Sequence, residues 1–166
     1  MEHWDLLDGM GNKLNKTIIR GEELKEGEFH LAVHIWIVND NKEFLIQKRA
    51  DNLKHLPGVW AVTGGSVIAG EDSLTAALRE VKEEIGINID SERIKVLFRM
   101  KKKDHFADVW MINKNVALNE LKIQIEEVSL VKWVSKEELL DMINTGIFHN
   151  YGQDYFEAIF REYKVL

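Results

Sequence analysis

Residues 64–87 constrain this chain more than any other stretch, because one short segment must supply a close-approach loop, a core helix and a charged face together. It opens on Gly64 and Gly65, passes through a loop ending at Glu71, and enters a run in which Leu74, Ala77, Leu78, Val81 and Ile85 recur at helical spacing. The spacing predicts a helix over 72–85, capped at its start by Asp72 or Ser73 and ended by Gly86. Glu80, Glu83 and Glu84 stand three and four residues apart, on a shared face opposite or beside the apolar stripe. Like charges at that spacing cost roughly 0.2–0.5 kcal/mol per pair. The negative end of the helix dipole adds roughly 0.3–1 kcal/mol for each anion. Lys82 points elsewhere on the wheel, so a positive partner from outside is expected; the plain alternative is a solvated acidic face. A divalent cation such as Mg²⁺ meets that need through one or two carboxylates, water and substrate phosphate.

The flanking sequence alternates strand and helix signals. Residues 14–24 read as a short strand and turn, and the run FHLAVHIWIV over 29–38 as a strand. Asn39-Asp40-Asn41 turns it into a second strand at 44–49, a hairpin. Pro57-Gly58 is a turn, and Trp60 to Thr63 a short strand leading into the glycines. Further strands are expected at 94–100, 106–113 and 128–134, then helices near 135–144, with Ser135 as cap, and 151–162. A mixed sheet with helices laid against it follows, in the α+β or α/β class.

No repeat, low-complexity linker or compositional boundary divides the 166 residues, so residues 1–166 are expected to form a single domain. The net charge of −6 argues against a nucleic-acid polymer as partner, since such surfaces are usually basic. Acting on phosphates then requires metal ions or a few local cations. The chain has no cysteine, which removes disulfides, thiol nucleophiles and thiolate metal sites and suits a reducing cytoplasm. The amino end lacks a basic flank followed by an apolar stretch, and no segment approaches 18 apolar residues, so neither a secretory signal nor a membrane span is expected.

From Gly65 the pattern is glycine, five residues, Glu71, seven residues, then Arg79-Glu80-Val81-Lys82-Glu83-Glu84-Ile85-Gly86-Ile87. Over 65–87 this strongly resembles the signature of the Nudix hydrolases. The resemblance implies an α/β/α sandwich around a mixed sheet and Mg²⁺- or Mn²⁺-dependent hydrolysis of a nucleoside diphosphate linked to a further group. It also implies that Glu80, Glu83 and Glu84 are the metal-binding and catalytic glutamates, with Glu83 and Glu84 the first candidates for general base. Gly65, or Gly64, matches the position whose carbonyl ligates metal and over which phosphate passes closely. Arg79 matches the arginine that orients the carboxylates, and Glu71 the loop acid near it. A homodimer is the family habit.

The stretch from Trp4 to Trp60, with WDLLDGMGNKL, RGEELKEGEFHLAVHIWIVN, FLIQKR and PGVW, resembles the Nudix branch close to isopentenyl-diphosphate isomerase. Those isomerases need a cysteine just after the position of Trp60, where this chain has Ala61-Val62-Thr63-Gly64-Gly65, and Glu23 and Ser66 stand where metal ligands are expected. Hydrolysis is therefore the leading reading; isomerase-like activity or a nucleotide-sensing domain without hydrolysis are the alternatives. Lys48 and Arg49, at a strand end, are candidates to meet substrate phosphate. His30 and His34 share a strand face and either line a pocket, bind a second metal or sit in the core. Asp108 near a strand start, and Glu126 or Glu127 ahead of the strand at 128–134, are candidates to join the site. The tryptophans follow strand patterns and read as core.

Overall fold

The run His30–Val38 has little room for polarity because both of its faces are covered. In the computed structural model, which describes residues 1–164, it is the strand β3, after β1 (His3–Leu7) and β2 (Lys13–Ile19). The chain continues through β4 (Phe44–Arg49), β5 (Trp60–Ala61), β6 (Thr63–Ser66), α1 (Ser73–Ile85), β7 (Lys95–Lys101) and β8 (His105–Asn113). It ends with β9 (Val128–Val134), α2 (Lys136–Asn144) and α3 (Gln153–Tyr163). β3 pairs parallel with β8 along its whole length, while the other pairings are antiparallel, so the seven-stranded sheet is mixed. Alternation of side chains along β3 feeds two cores. Val33, Ile35 and Ile37 pack with Ala76, Ala77, Val81 and Ile85 of α1. Trp36 and Val38 pack with Leu139, Met142, Tyr155 and Ile159 of α2 and α3. The result is an α/β/α sandwich, and each fully buried aliphatic side chain contributes roughly 1.5–3 kcal/mol.

The hairpin expected between 29–38 and 44–49 forms only at its turn. β3 and β4 pair at Ile37 with Leu45 and at Val38 with Phe44, then part. The segment 60–66 fills the gap: β5 pairs with β4, opposite Gln47 and Lys48, and β6 crosses to pair with β3, setting Gly64 opposite His34 and Gly65 opposite Val33. That wedge brings the glycines into the middle of the sheet. At the other end β1 and β2 form a separate two-stranded ribbon, anchored where Leu7 meets Phe29 and Phe106. Among the described residues no helix is long and apolar enough to cross a membrane.

Candidate active site

The helix α1 is held at both ends in the way its sequence requires. Asp72 accepts from the Thr75 amide at 2.7 Å, and Gly86 closes the helix in the left-handed conformation at φ 77°. A side chain at Gly86 would also press on the backbone of Lys122. The last carbonyls are taken by the following loop: Lys122 N–H donates to Ile85 at 3.0 Å and Gln124 N–H to Glu84 at 2.9 Å. The helix end thereby draws residues 122–127 towards the glutamates, which puts Gln124 and Glu127 on the same cavity.

The three box glutamates do not share one environment. Glu84 is only 3% exposed. One of its oxygens, Oε2, accepts from Gln47 Nε2 at 2.7 Å and from the Gly64 amide at 3.2 Å. Gln47 is fixed in turn by Thr63 Oγ1, which donates to Oε1 at 2.8 Å. Burial pushes the Glu84 carboxyl up to about 8, against the lowering effect of the Gln47 hydrogen bond. Glu80 is half-buried beside Gly65; burial raises its carboxyl too, while Arg79 pulls it down. A side chain at Gly65 would fall on the Glu80 carboxyl and displace it from its place beside the glycine. Glu83 is exposed at the rim.

The positive partner that the glutamate cluster demands is Arg79, from within the same helix. Its Nε and Nη2 donate to the two oxygens of Glu71 at 2.8 and 3.0 Å, Nη1 to Glu80 at 2.8 Å and to Glu83 at 3.1 Å, and Nη2 also to the Ser66 carbonyl at 3.1 Å. All five N–H donors of the guanidinium are used. The arrangement ties the loop, through Glu71 and Ser66, to two of the three carboxylates.

A cavity of about 310 Å³ opens over this group. It is lined by Glu80, Glu83, Glu84, Arg79, Gly64 and Gly65 on one side, and by His34, Ala61, Val62, His149 and Tyr151 on the other. Arg49 stands on its wall with Nε bound to the His55 carbonyl at 3.1 Å, whereas Lys48, one residue back on the alternating strand, is not part of the lining. Glu127 reaches the cavity; Glu126 is exposed outside it. His34 is a wall residue, but His30 is buried away from the cavity, its ring stacked between Trp4 at 4.0 Å and His105 at 5.3 Å. Asp108 is likewise elsewhere, engaged by Arg99 through two hydrogen bonds of 2.6 and 2.8 Å. Gln47, Gln124, His149 and Tyr151 escape sequence reasoning. Only Gln47 left a trace, as a lone amide following Phe44-Leu45-Ile46 in a strand.

Among the described residues no three carboxylates or imidazoles converge into a ready-made metal cage. The donor set still suits a hard divalent cation. Five carboxylates line the cavity; Glu2 is paired with Arg20 at 2.6 Å, while Glu80, Glu83, Glu84 and Glu127 form the acidic group, and Mg²⁺ takes one or two carboxylates and completes its shell with water and phosphate.

A profile of the NUDIX domain matches residues 28–152. The chain belongs to the Nudix family. It is 43% identical over 152 residues to an uncharacterised Nudix hydrolase of Listeria innocua, covering 91% of this chain and 90% of that protein. It is 26% identical over 156 residues to isopentenyl-diphosphate Delta-isomerase 1 of Bos taurus, covering 81% of this chain and 67% of that one. A Deinococcus radiodurans protein of known crystal structure shares the fold at a TM-score of 0.79 and 22% identity, covering 96% of this chain and 98% of that chain. This Nudix protein is therefore a pyrophosphohydrolase by family, of the class that acts on nucleoside diphosphate derivatives. The likeness to the isomerase branch read from residues 4–60 is present and weaker.

Proposed function

We propose that residues 1–166 act as one Nudix domain that hydrolyses a diphosphate bond in a nucleoside diphosphate derivative, with Mg²⁺ or Mn²⁺ held by Glu80, Glu83 and Glu84. The observation that carries this reading is the unequal setting of the glutamates around one cavity. Glu84 has one oxygen fixed by Gln47 and Gly64, and among the described residues its other oxygen has no partner and is not sealed off. A carboxylate anchored by one oxygen is prepared to use the other as a ligand. Glu83 is at the rim, held only by Arg79, and is the group best placed to take the proton of the attacking water. A divalent ion bound here supplies charge neutralisation and an acidified water. Arg79 keeps Glu80 and Glu83 oriented, Arg49 meets a phosphate oxygen at the wall, and the glycines let the diphosphate lie close to the backbone. Glu80, Glu83 and Glu84 all line one cavity, which favours hydrolysis over sensing, and the absence of cysteine disfavours isomerisation.

The test is a pair of variants assayed against nucleoside diphosphate derivatives at varied Mg²⁺. Glu83→Gln should lower kcat about 10²- to 10⁴-fold even at saturating Mg²⁺. Glu84→Gln should instead shift the requirement to higher Mg²⁺. Near-wild-type turnover in both variants would falsify the assignment.

A further inference from the structure

The far wall of the cavity carries a side chain whose hydrogen-bonding role the surrounding contacts fix. His34 leaves β3 on the side opposite Val33 and Ile35, so it approaches the cavity from the α3 side, whereas Glu84 approaches from the α1 side. Between them runs β6, and Gly64, directly opposite His34, has no side chain to separate the two. The His34 Nδ1 lies 3.0 Å from the Tyr155 hydroxyl, and Trp36 Nε1 lies 2.9 Å from the same hydroxyl. An indole N–H only donates, so the Tyr155 oxygen accepts from Trp36. Its own hydrogen then goes to the one acceptor it meets among the described residues, His34 Nδ1. An accepting Nδ1 on a neutral ring leaves the hydrogen on Nε2. Burial keeps the ring neutral, holding its protonation down to about 3. Among the described residues Nε2 has no partner and is not buried out of reach, so this donor is open to the cavity.

We infer that His34, set by Tyr155 and Trp36, is a specificity-determining donor that binds an uncharged acceptor, a carbonyl or ring nitrogen of a nucleobase-like group, on the part of the substrate beyond its phosphates. The walls around it support an organic group over a phosphate. Ala61, Val62 and Tyr151 are apolar or aromatic and buried, and the Tyr151 ring lies 4.8 Å from that of His34. A neutral donor in such surroundings has no charge with which to favour phosphate, whereas the cavity's charged donors for phosphate are Arg20, Arg49 and Arg79. A diphosphate carrying only a hydrocarbon tail leaves the donor unpaired, which disfavours that class. Tyr155 and Trp36 are positioning residues that act through His34. The inference deepens the proposed function and rests on the same cavity.

Two measurements test it. Nitrogen-15 NMR of the wild-type imidazole at neutral pH should show Nδ1 unprotonated and Nε2 protonated, and Tyr155→Phe should mix the two tautomers. A protonated Nδ1 in the wild type overturns the assignment. Calorimetry in Mg²⁺ should show ADP and UDP binding weakened about 5-fold in His34→Phe, with partial recovery in His34→Gln, whose amide still donates, and inorganic pyrophosphate unaffected. Equal weakening for pyrophosphate, no weakening for either nucleotide, or binding of pyrophosphate without either nucleotide overturns it. These readouts need no turnover, so a failure of Glu83 as base in the hydrolysis assay is distinguishable from a failure here.

Discussion

At the scale of single residues, the paired glycines separate fold from chemistry. A methyl group at Gly65 meets the end of the Glu80 side chain, which can swing away, whereas one at Gly64 meets the Val33 carbonyl in the strand itself. Gly65→Ala is therefore expected to fold with little loss of thermal stability yet lose about 10²-fold in turnover, because the Glu80 carboxylate, a proposed metal ligand, is displaced. Gly64→Ala is expected to lose about 1–3 kcal/mol of stability through overpacking. Denaturant melts beside initial rates check both; a large stability loss in the first and none in the second would reverse the assignment. Arg79→Lys replaces a planar fork by a single ammonium that cannot hold Glu71, Glu80, Glu83 and Ser66 together. It should lower kcat/KM and destabilise by about 2 kcal/mol, since half-buried acceptors are left unmet. The glutamate cluster was readable from spacing, and the arginine's part in it followed from the resemblance to the Nudix signature. Lys48 and Arg49 were not separable that way, because adjacent strand residues face opposite sides and only the packing says which side holds the cavity.

At the scale of elements, α1 acts as a bracket for the site. Both of its termini were legible, since Asp72 and Gly86 are the residue types that end helices, and the structure places the helix one residue inside the expected start. What the wheel did not reveal is that Glu84 belongs with the buried face. It lies next to Ile85 in the core, opposite a glutamine contributed by β4, and no single-segment pattern contains that partner. The helix also organises the loop at 122–127 through its last carbonyls. Gly86→Ala forces a side chain into left-handed backbone and onto Lys122, and should cost more than about 1 kcal/mol. Hydrogen exchange should then rise at the Lys122 and Gln124 amides and turnover should fall as Glu127 shifts; unchanged protection at those amides would show that the loop does not depend on the helix end.

At the scale of the whole molecule, burial of ionisable groups makes stability depend on pH in two opposed ways. Glu84 has a carboxyl raised from 4.5 to about 8, so its contribution is complete below about 4.5 and is lost as pH rises to about 8. His34 and His30 are lowered from 6.5 to about 3 and about 4, so their contribution is complete above 6.5 and is lost as pH falls. In chelator, the melting temperature should therefore decline on the acid side through the histidines and decline again between pH 6.5 and 8 through Glu84. Glu84→Gln should remove the alkaline decline, and added Mg²⁺ should offset it in the wild type. Persistence of that decline in Glu84→Gln would assign it to another group.

By itself the sequence determined the glycine–helix–glutamate segment, the strands β3, β4, β7, β8 and β9 to within a residue or so, and the hydrolase family. Those features are local: period, caps and fixed spacings lie within a single stretch of chain. The tertiary structure alone decided that β3 and β4 part to admit residues 60–66, that β1 and β2 form a ribbon, and that Asp108 and His30 lie away from the cavity. It alone brought Gln47 onto Glu84, His34 and Tyr151 onto the same cavity, and Tyr155 behind His34. Residues far apart in the chain become neighbours only when strand pairing and the two helical layers fix their distances, and a linear pattern holds no record of those distances.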